Sequence, residues 1–204
     1  YGNSSPVKEP PSLDASYPKF INLAYDKTCN LMCKTCRDTV IKEEDYSEEE
    51  WNNTIEKYYV PICKNAKELV INTTGECLIS KKSRALIKKL TETYPELKFS
   101  IMTNGTACNE KNIESLGLTG RLSVVYISIN AATKQTYDII ARTGDYDTVM
   151  KNLKWLSEQR KRGVIPSVIM NFVVHSINYK EMPAFVQIAK DLGVEVSFWE
   201  FQKW

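Results

Sequence analysis

Short β-rich runs alternate with longer amphipathic stretches along this chain from Lys19 onward. Apolar, β-branched and aromatic residues between turn-forming residues predict strands at six places, which are 20–25, 68–72, 98–103, 122–130, 167–174 and 195–201. Apolar residues at helical spacing predict helices over 47–60, 80–94, 109–117, 133–162 with a break near Gly144, and 179–192. Each predicted helix therefore lies between two consecutive strands.

This alternation predicts an α/β fold with a parallel sheet, since long helical crossovers join parallel strands in right-handed βαβ units. Six strands are too few for a closed eight-stranded barrel, so we expect a partial (β/α)6 TIM-like barrel. Chemistry in such folds lies at the carboxyl ends of the strands. Polar segments follow the predicted strands and are expected to share one rim; they are 29–36, 74–76, 104–105, 128–130 and 175–178.

The composition indicates one ordinary globular domain. The chain has 204 residues, of which 43% are hydrophobic and 25% charged. Residues 1–18 contain four prolines without apolar periodicity, so they are predicted to form an N-terminal arm or linker, and 19–204 to form the domain.

Charge and hydropathy exclude several function classes. With 27 basic and 25 acidic side chains, the net charge of +2 indicates neither a nucleic-acid surface nor a membrane surface. No apolar run approaches the roughly 20 residues that span a bilayer, and the first residues lack the layout of a signal peptide. We therefore expect a cytoplasmic protein.

Three of the six cysteines lie within eight residues, as Cys29, Cys33 and Cys36 in a CxxxCxxC spacing. Clustered thiols in a protein of this size indicate metal or redox chemistry rather than a disulfide framework. Three thiolates leave one iron of a [4Fe–4S] cluster open to an exogenous ligand, whereas a closed zinc site takes four protein ligands. The alternative is a structural zinc site completed elsewhere, for example by His175.

With this motif after the first strand, the sequence resembles the radical SAM superfamily over 20–201. The resemblance implies a [4Fe–4S] cluster on Cys29, Cys33 and Cys36, with S-adenosylmethionine bound at the open iron. It implies reductive cleavage of that cofactor to a 5′-deoxyadenosyl radical, which abstracts hydrogen from a substrate. It also implies an electron donor of the flavodoxin or ferredoxin type.

The resemblance assigns further cofactor-binding residues. The family's Gly-Gly-Glu-Pro-like turn corresponds to 74–77, so Gly75 and Glu76 are expected at the amine of S-adenosylmethionine. The family's Ser-Ile-Asp-Ala-Ala segment corresponds to 128–132, which places Ser128 and Asn130 near the ribose. The two alternate along the predicted fourth strand, so both side chains are expected on the same side of it. Asn104 is expected in a turn on the cofactor side.

Arg142 is a candidate for the cofactor carboxylate, and no catalytic residue for the substrate is assigned. Cys63, Cys77 and Cys108 are expected to behave as small apolar groups, with a hydrogen-donor or ligand role considered for Cys77 alone.

The stretch 133–146, and Thr35 before the third motif cysteine, resemble members with a SPASM or twitch extension that binds auxiliary clusters. No cysteine follows Cys108, so this extension is expected to be absent from the chain. The subgroup implies a peptide, protein or carbohydrate-type substrate. Two alternatives are a non-catalytic zinc-binding or scaffold domain, and a truncated barrel without turnover.

Overall fold

A computed structural model describes residues 18–71 and 74–201. Its sheet has six strands, which are β1 (Phe20–Leu23), β2 (Glu68–Ile71), β3 (Lys98–Thr103), β4 (Leu122–Ser128), β5 (Ser167–Val174) and β6 (Glu195–Glu200). All neighbouring strands are parallel and follow the order of the chain, so β1 and β6 form the two edges of an open sheet. The predicted partial (β/α)6 architecture is confirmed.

The helices occupy the predicted connections. They are α1 (Glu48–Thr54), α2 (Val60–Cys63), α3 (Lys81–Thr93), α4 (Glu110–Ser115), α5 (Lys134–Ala141), α6 (Tyr146–Lys161) and α7 (Met182–Leu192). One π-helical turn, Ile55–Tyr59, joins α1 to α2, and a 3₁₀ turn, Tyr179–Glu181, precedes α7. The predicted break near Gly144 separates α5 from α6.

Polar side chains define where the helices begin. Ser47, Ser80, Asn109, Thr133 and Asp145 each accept a hydrogen bond from a backbone amide of the first turn that follows. These contacts satisfy amides that have no partner inside the helix. Such local signals explain why the helix starts could be read from the sequence.

Helices cover the outer face of the sheet, and the inner face lines the interior of the partial barrel, so the central strands are buried on both faces. Leu69, Phe99, Ile101 and Val125 are fully buried on the central strands, which is typical of parallel sheets covered on both faces. The guanidinium of Arg121, which precedes β4, donates to the carbonyls of residues 91, 94 and 97 around the end of α3. This contact fixes the outer helix layer to the sheet at the end opposite the predicted site.

Two expectations are limited by what the structure describes. The predicted arm 1–18 lies outside the described residues except for Pro18, and so does the last residue of the second predicted strand, Asn72. Within the described residues, no helix is both long and apolar enough to cross a membrane.

Candidate cofactor site

A cavity of about 730 Å³ lies at the carboxyl ends of the strands. Eight of the nine residues singled out in the sequence line it, and these are Cys29, Cys33, Cys36, Gly75, Glu76, Asn104, Ser128 and Asn130. The ninth, Arg142, does not. Residues that are up to 101 positions apart in the chain thus meet at one rim, as the parallel strand order requires.

The cysteine loop follows β1 and is held in a defined conformation. The amide of Cys29 donates to the carbonyl of Ile41 at 2.9 Å, and the amides of Cys36 and Arg37 both donate to the carbonyl of Cys33 at 2.9 Å. Cys29 is buried, Cys33 is partly buried and Cys36 is exposed. The loop therefore presents its thiols from the floor of the cavity to its edge.

Hydrogen-bond donors surround two of the three sulfurs. Cys29 Sγ accepts from the Leu31 amide at 3.5 Å and from Asn104 Nδ2 at 3.8 Å. Cys36 Sγ accepts from Arg37 Nε at 3.4 Å and from its Nη2 at 3.3 Å. Donors of this kind stabilise thiolates that ligate metal and tune what they bind. Three thiols, two of which accept hydrogen bonds at sulfur, therefore fit the ligand set of an iron–sulfur cluster.

Burial makes two of the three thiols, Cys29 and Cys33, poor acids. It raises the pKa of Cys33 to about 12, with further contributions from the charges of Cys29 and Cys36, and it also raises the pKa of Cys29. Binding of iron must therefore displace protons from these groups. Among the described residues, no three His, Cys, Asp or Glu side chains surround a point that suits a single metal ion. A cubane has a different requirement, because each thiolate ligates a different iron.

The 74–76 turn lies directly against the backbone that leads into the cysteine loop. The amide of Glu76 donates to the carbonyl of Thr28 at 2.7 Å. A Cβ on Gly75 would lie 2.2 Å from the Thr28 oxygen and 2.6 Å from the carbonyl carbon of Lys27. Only glycine permits this approach, so the turn and the loop are in contact because residue 75 has no side chain.

Glu76 is 1% exposed and anchors the turn after β2 to the end of β3. Its Oε1 accepts from Thr103 Oγ1 at 2.7 Å and from the Leu78 amide at 3.2 Å, while Oε2 accepts from the Asn104 amide at 2.5 Å. Burial raises the pKa of this carboxyl group above its ordinary value, and the three hydrogen bonds oppose that rise. The carboxylate is thus a fixed acceptor at the cavity wall.

Asn104 connects the end of β3 to the cysteine loop. Its Nδ2 donates to Asn30 Oδ1 at 3.0 Å, and Asn30 Nδ2 donates to Thr106 Oγ1 at 3.1 Å. From α6, the buried Asn152 donates to the carbonyls of Gly105 and Thr106 at 2.8 and 3.2 Å. Sequence reasoning missed Asn30, Thr106 and Asn152, because an isolated polar residue gives no signal of which distant residue it will contact.

Asn130 corrects one expectation. The strand β4 ends at Ser128, and Asn130 lies beyond it with a φ of 61°, so strand alternation does not place the two side chains on one face. Asn130 Oδ1 accepts from the Val173 amide at 2.7 Å, and its carbonyl accepts from Asn178 Nδ2 at 2.9 Å. Its side-chain oxygen therefore holds the end of β5, although the residue still lines the cavity.

Arg142, which was predicted at the cofactor carboxylate, does not line the cavity, and that role stays a prediction. It follows the last residue of α5 with a φ of 56°, and its guanidinium lies 3.9 Å from the exposed Asp38. Its positive charge favours the thiolate of Cys33, but less strongly than burial and the neighbouring thiolates oppose it. Arg142 thus lies close enough to the cysteine loop to act on Cys33 without lining the cavity.

The remaining candidates lie away from the three thiols. His175 lines a separate shallow pocket, and its Nδ1 accepts from the Ile177 amide at 3.2 Å, so it is not placed to complete a zinc site on the cysteine loop. Cys77 is fully buried, with its Sγ 3.6 Å from the carbonyl of Met102. Cys63 and Cys108 are also buried. These three thiols fill space in the core.

The open parallel barrel with three thiols at its carboxyl rim defines a class of cluster-binding enzyme domain. The model of the radical SAM superfamily matches residues 27–189, and the chain belongs to that superfamily. Members of this superfamily are enzymes whose cofactors are a [4Fe–4S] cluster and S-adenosylmethionine.

Individual proteins agree with the assignment. A GTP 3′,8-cyclase of Petrotoga mobilis is 32% identical over 129 residues, covering 63% of this chain and 38% of the cyclase. A GTP 3′,8-cyclase of Peptoclostridium acidaminophilum is 22% identical over 184 residues, covering 89% of this chain and 54% of the cyclase. The chain thus spans 38% and 54% of the length of these two relatives.

A solved structure shares the fold. Streptococcus suis SuiB bound to S-adenosylmethionine superposes with a TM-score of 0.67 at 16% identity, covering 93% of this chain and 42% of SuiB.

Proposed function

We propose that this chain is the catalytic core of a radical SAM enzyme that cleaves S-adenosylmethionine reductively and directs the resulting radical at a bound substrate. One observation carries the proposal: three thiols and a buried carboxylate from two different strand ends line the same cavity. A cluster held by these thiols would supply one electron to the sulfonium of S-adenosylmethionine, the chemistry that yields methionine and a 5′-deoxyadenosyl radical.

In this proposal the cysteine loop holds the cluster and controls its charge. Cys29, Cys33 and Cys36 would ligate three irons and leave the fourth for the cofactor. The amide of Leu31 and the side chains of Asn104 and Arg37 already donate to the sulfurs. These donors would offset part of the negative charge that the thiolates bring to the site.

Glu76 would hold the ammonium of S-adenosylmethionine. Each carboxylate oxygen accepts about two hydrogen bonds. Among the described residues, Oε1 accepts from two donors and Oε2 from one, so Oε2 retains a position for an ammonium hydrogen. Ser128, half-buried at the end of β4, would serve the ribose, while Asn130 would act by holding the backbone at Val173.

The apolar part of the cavity would protect the radical. Leu31, Met102, Val173 and Phe198 line it together with the polar groups. Walls of this kind exclude water and unwanted hydrogen donors from reactive intermediates.

The far wall of the cavity indicates a substrate class. It is aromatic, with Phe198, Trp199 and Phe201, and carries the carboxylate of Glu200. Among the described lining residues Arg37 is the one cation, and it contacts protein atoms. A triphosphate requires free Arg or Lys, whereas aromatic faces suit peptide side chains and sugar rings. We therefore favour a peptide, protein or carbohydrate-type substrate over the GTP named for the cyclases; saturable GTP binding by the cluster-loaded protein would contradict this.

The test compares S-adenosylmethionine cleavage in the wild type with that in Cys33→Ala. After anaerobic reconstitution and reduction with dithionite, we expect the wild type to form 5′-deoxyadenosine and the variant to lose more than about a hundredfold of that rate, because one iron loses its ligand. Cys63→Ala is the matched control, since it removes a buried thiol outside the cavity. Equal loss in both variants, or no product from the wild type, would contradict the proposal.

An external one-electron donor of the flavodoxin or ferredoxin type is part of the proposal, because a cluster ligated by the exposed Cys36 would be accessible from the surface. Reduced flavodoxin should replace dithionite in the same assay, and failure of every such donor would oppose this. The SPASM or twitch subgroup and its extension outside this chain stay predictions.

A further inference from the structure

Arg37 stands directly after the third cysteine, and its guanidinium contacts three separate segments. Its Nη1 donates to the carbonyl of Lys27 at 2.8 Å, and its Nη2 donates to the carbonyl of Thr74. Its Nε and Nη2 donate to Cys36 Sγ at 3.4 and 3.3 Å. The segment between β1 and the cysteine loop, the third thiol and the 74–76 turn are thus connected by one side chain.

The geometry requires arginine rather than a generic cation. Its planar guanidinium has five donors in a fixed fork, so it can reach two carbonyls and a sulfur at once. A lysine ammonium carries the same charge without that fork. The two contributions of Arg37, its geometry and its charge, can therefore be separated by substitution.

The charge acts on the sulfurs. The guanidinium lies within hydrogen-bond distance of Cys36 Sγ, at 3.4 Å from Nε and 3.3 Å from Nη2. A cation held this close to a ligand sulfur favours whichever state of a bound cluster carries more negative charge. That state is the reduced one.

We propose that Arg37 is a positioning residue with two effects: it fixes the cysteine loop to the 74–76 turn, and its charge at Cys36 raises the reduction potential of the cluster. The inference rests on the proposed function for the identity of the bound group. The electron would come from the external donor of the flavodoxin or ferredoxin type, which is oxidised by one electron as the cluster is reduced by one; Arg37 would change only the free energy of that transfer.

The test measures the reduction potential by EPR-monitored titration of the reconstituted wild type, Arg37→Lys and Arg37→Gln. We expect Arg37→Gln to reduce the ratio of reduced to oxidised cluster at a fixed potential about tenfold, which is about 59 mV for one electron. Arg37→Lys should stay closer to the wild type because it retains the charge. Lys34→Gln is the matched control, since it removes the same charge from an exposed side chain of the same loop. Its shift should be under about a third of that of Arg37→Gln.

A second readout uses protein without the cluster. Hydrogen exchange of the Glu76 and Cys36 amides, which donate to Thr28 and Cys33, should become faster in both Arg37 variants, since both lose the fork. A purely structural role predicts equal potentials for Arg37→Lys and Arg37→Gln and would overturn the effect of charge. Unchanged exchange would overturn the positioning role.

The outcomes distinguish this inference from the proposed function. A cluster with the expected potential shifts but no cleavage of S-adenosylmethionine would refute the function and leave Arg37 in its role. Cleavage by the wild type with unchanged potentials would refute the role of Arg37 alone. If the wild type binds no cluster, the proposed function and the effect of Arg37 on the reduction potential both fail. Hydrogen exchange of the Glu76 and Cys36 amides then decides whether Arg37 positions the cysteine loop.

Discussion

Replacing Gly75 by alanine is expected to lower the free energy of unfolding by about 3 kcal/mol and to abolish binding of S-adenosylmethionine. The new Cβ would lie 2.2 Å from the Thr28 oxygen and 2.8 Å from its nitrogen. Both are backbone atoms, so no side-chain rotation relieves the overlap. The 74–76 turn must move away and break the 2.7 Å hydrogen bond between the Glu76 amide and Thr28. The midpoint temperature of thermal unfolding should fall by about 6–12 °C.

Gly163→Ala is the control for this prediction. Gly163 has a φ of +73°, but nothing lies within 4 Å of a Cβ built there. It should therefore show the backbone strain of about 1–2 kcal/mol without the clash, and retain cofactor binding. If the unfolding midpoint temperature of Gly75→Ala is no lower than that of Gly163→Ala, the inferred close contact between the 74–76 turn and the backbone before the cysteine loop is wrong.

Replacing Glu76 by glutamine is expected to weaken binding of S-adenosylmethionine about tenfold to a hundredfold. A hydrogen bond to a charged partner contributes about 1.5–3 kcal/mol, and each 1.4 kcal/mol is tenfold in affinity. The substituted amide would also face a donor, because Oε2 now accepts from the Asn104 amide at 2.5 Å. Some loss of stability, about 1–3 kcal/mol, should accompany the loss of affinity. Equilibrium binding to the cluster-loaded protein measures the first effect, and thermal unfolding the second.

The control for Glu76 is Glu68→Gln. Glu68 begins β2, far from the cavity, and accepts from Ser100 Oγ at 2.5 Å, a hydrogen bond that glutamine can retain. This variant should bind S-adenosylmethionine as the wild type does. A Glu76→Gln protein that loses stability but keeps its affinity would show that the carboxylate only connects β2 to β3.

The fold followed from the sequence because its signals are local. The bounds of β3 and β5 match the predicted 98–103 and 167–174, since turn residues border each apolar run. Crossover length then required parallel strands, and the parallel order brought the predicted segments to one rim. The predicted end of the fourth strand was wrong by two residues, because Asn130 adopts a left-handed conformation that apolar periodicity does not reveal.

The site was only partly predictable for a related reason. The spacing of Cys29, Cys33 and Cys36 lies within one short loop, so the sequence displays it. Arg37 and Thr74, which form a hydrogen bond, are separated by 37 positions in the sequence, and Asn104 and Asn30 by 74 positions. No rule of sequence spacing predicts contacts between residues this far apart. Arg142 received its cofactor role from the family resemblance alone; its guanidinium lies 3.9 Å from the exposed Asp38, and the role stays a prediction.

The most direct measurement of the central claim is the metal content and EPR spectrum of the anaerobically reconstituted chain, with and without S-adenosylmethionine. We expect iron and sulfide in the ratio of one [4Fe–4S] cluster per chain, and a reduced-cluster signal that changes when S-adenosylmethionine is added, because three cysteines leave one iron open. A colourless protein with one zinc ion per chain, or a cluster signal indifferent to S-adenosylmethionine, would contradict the account.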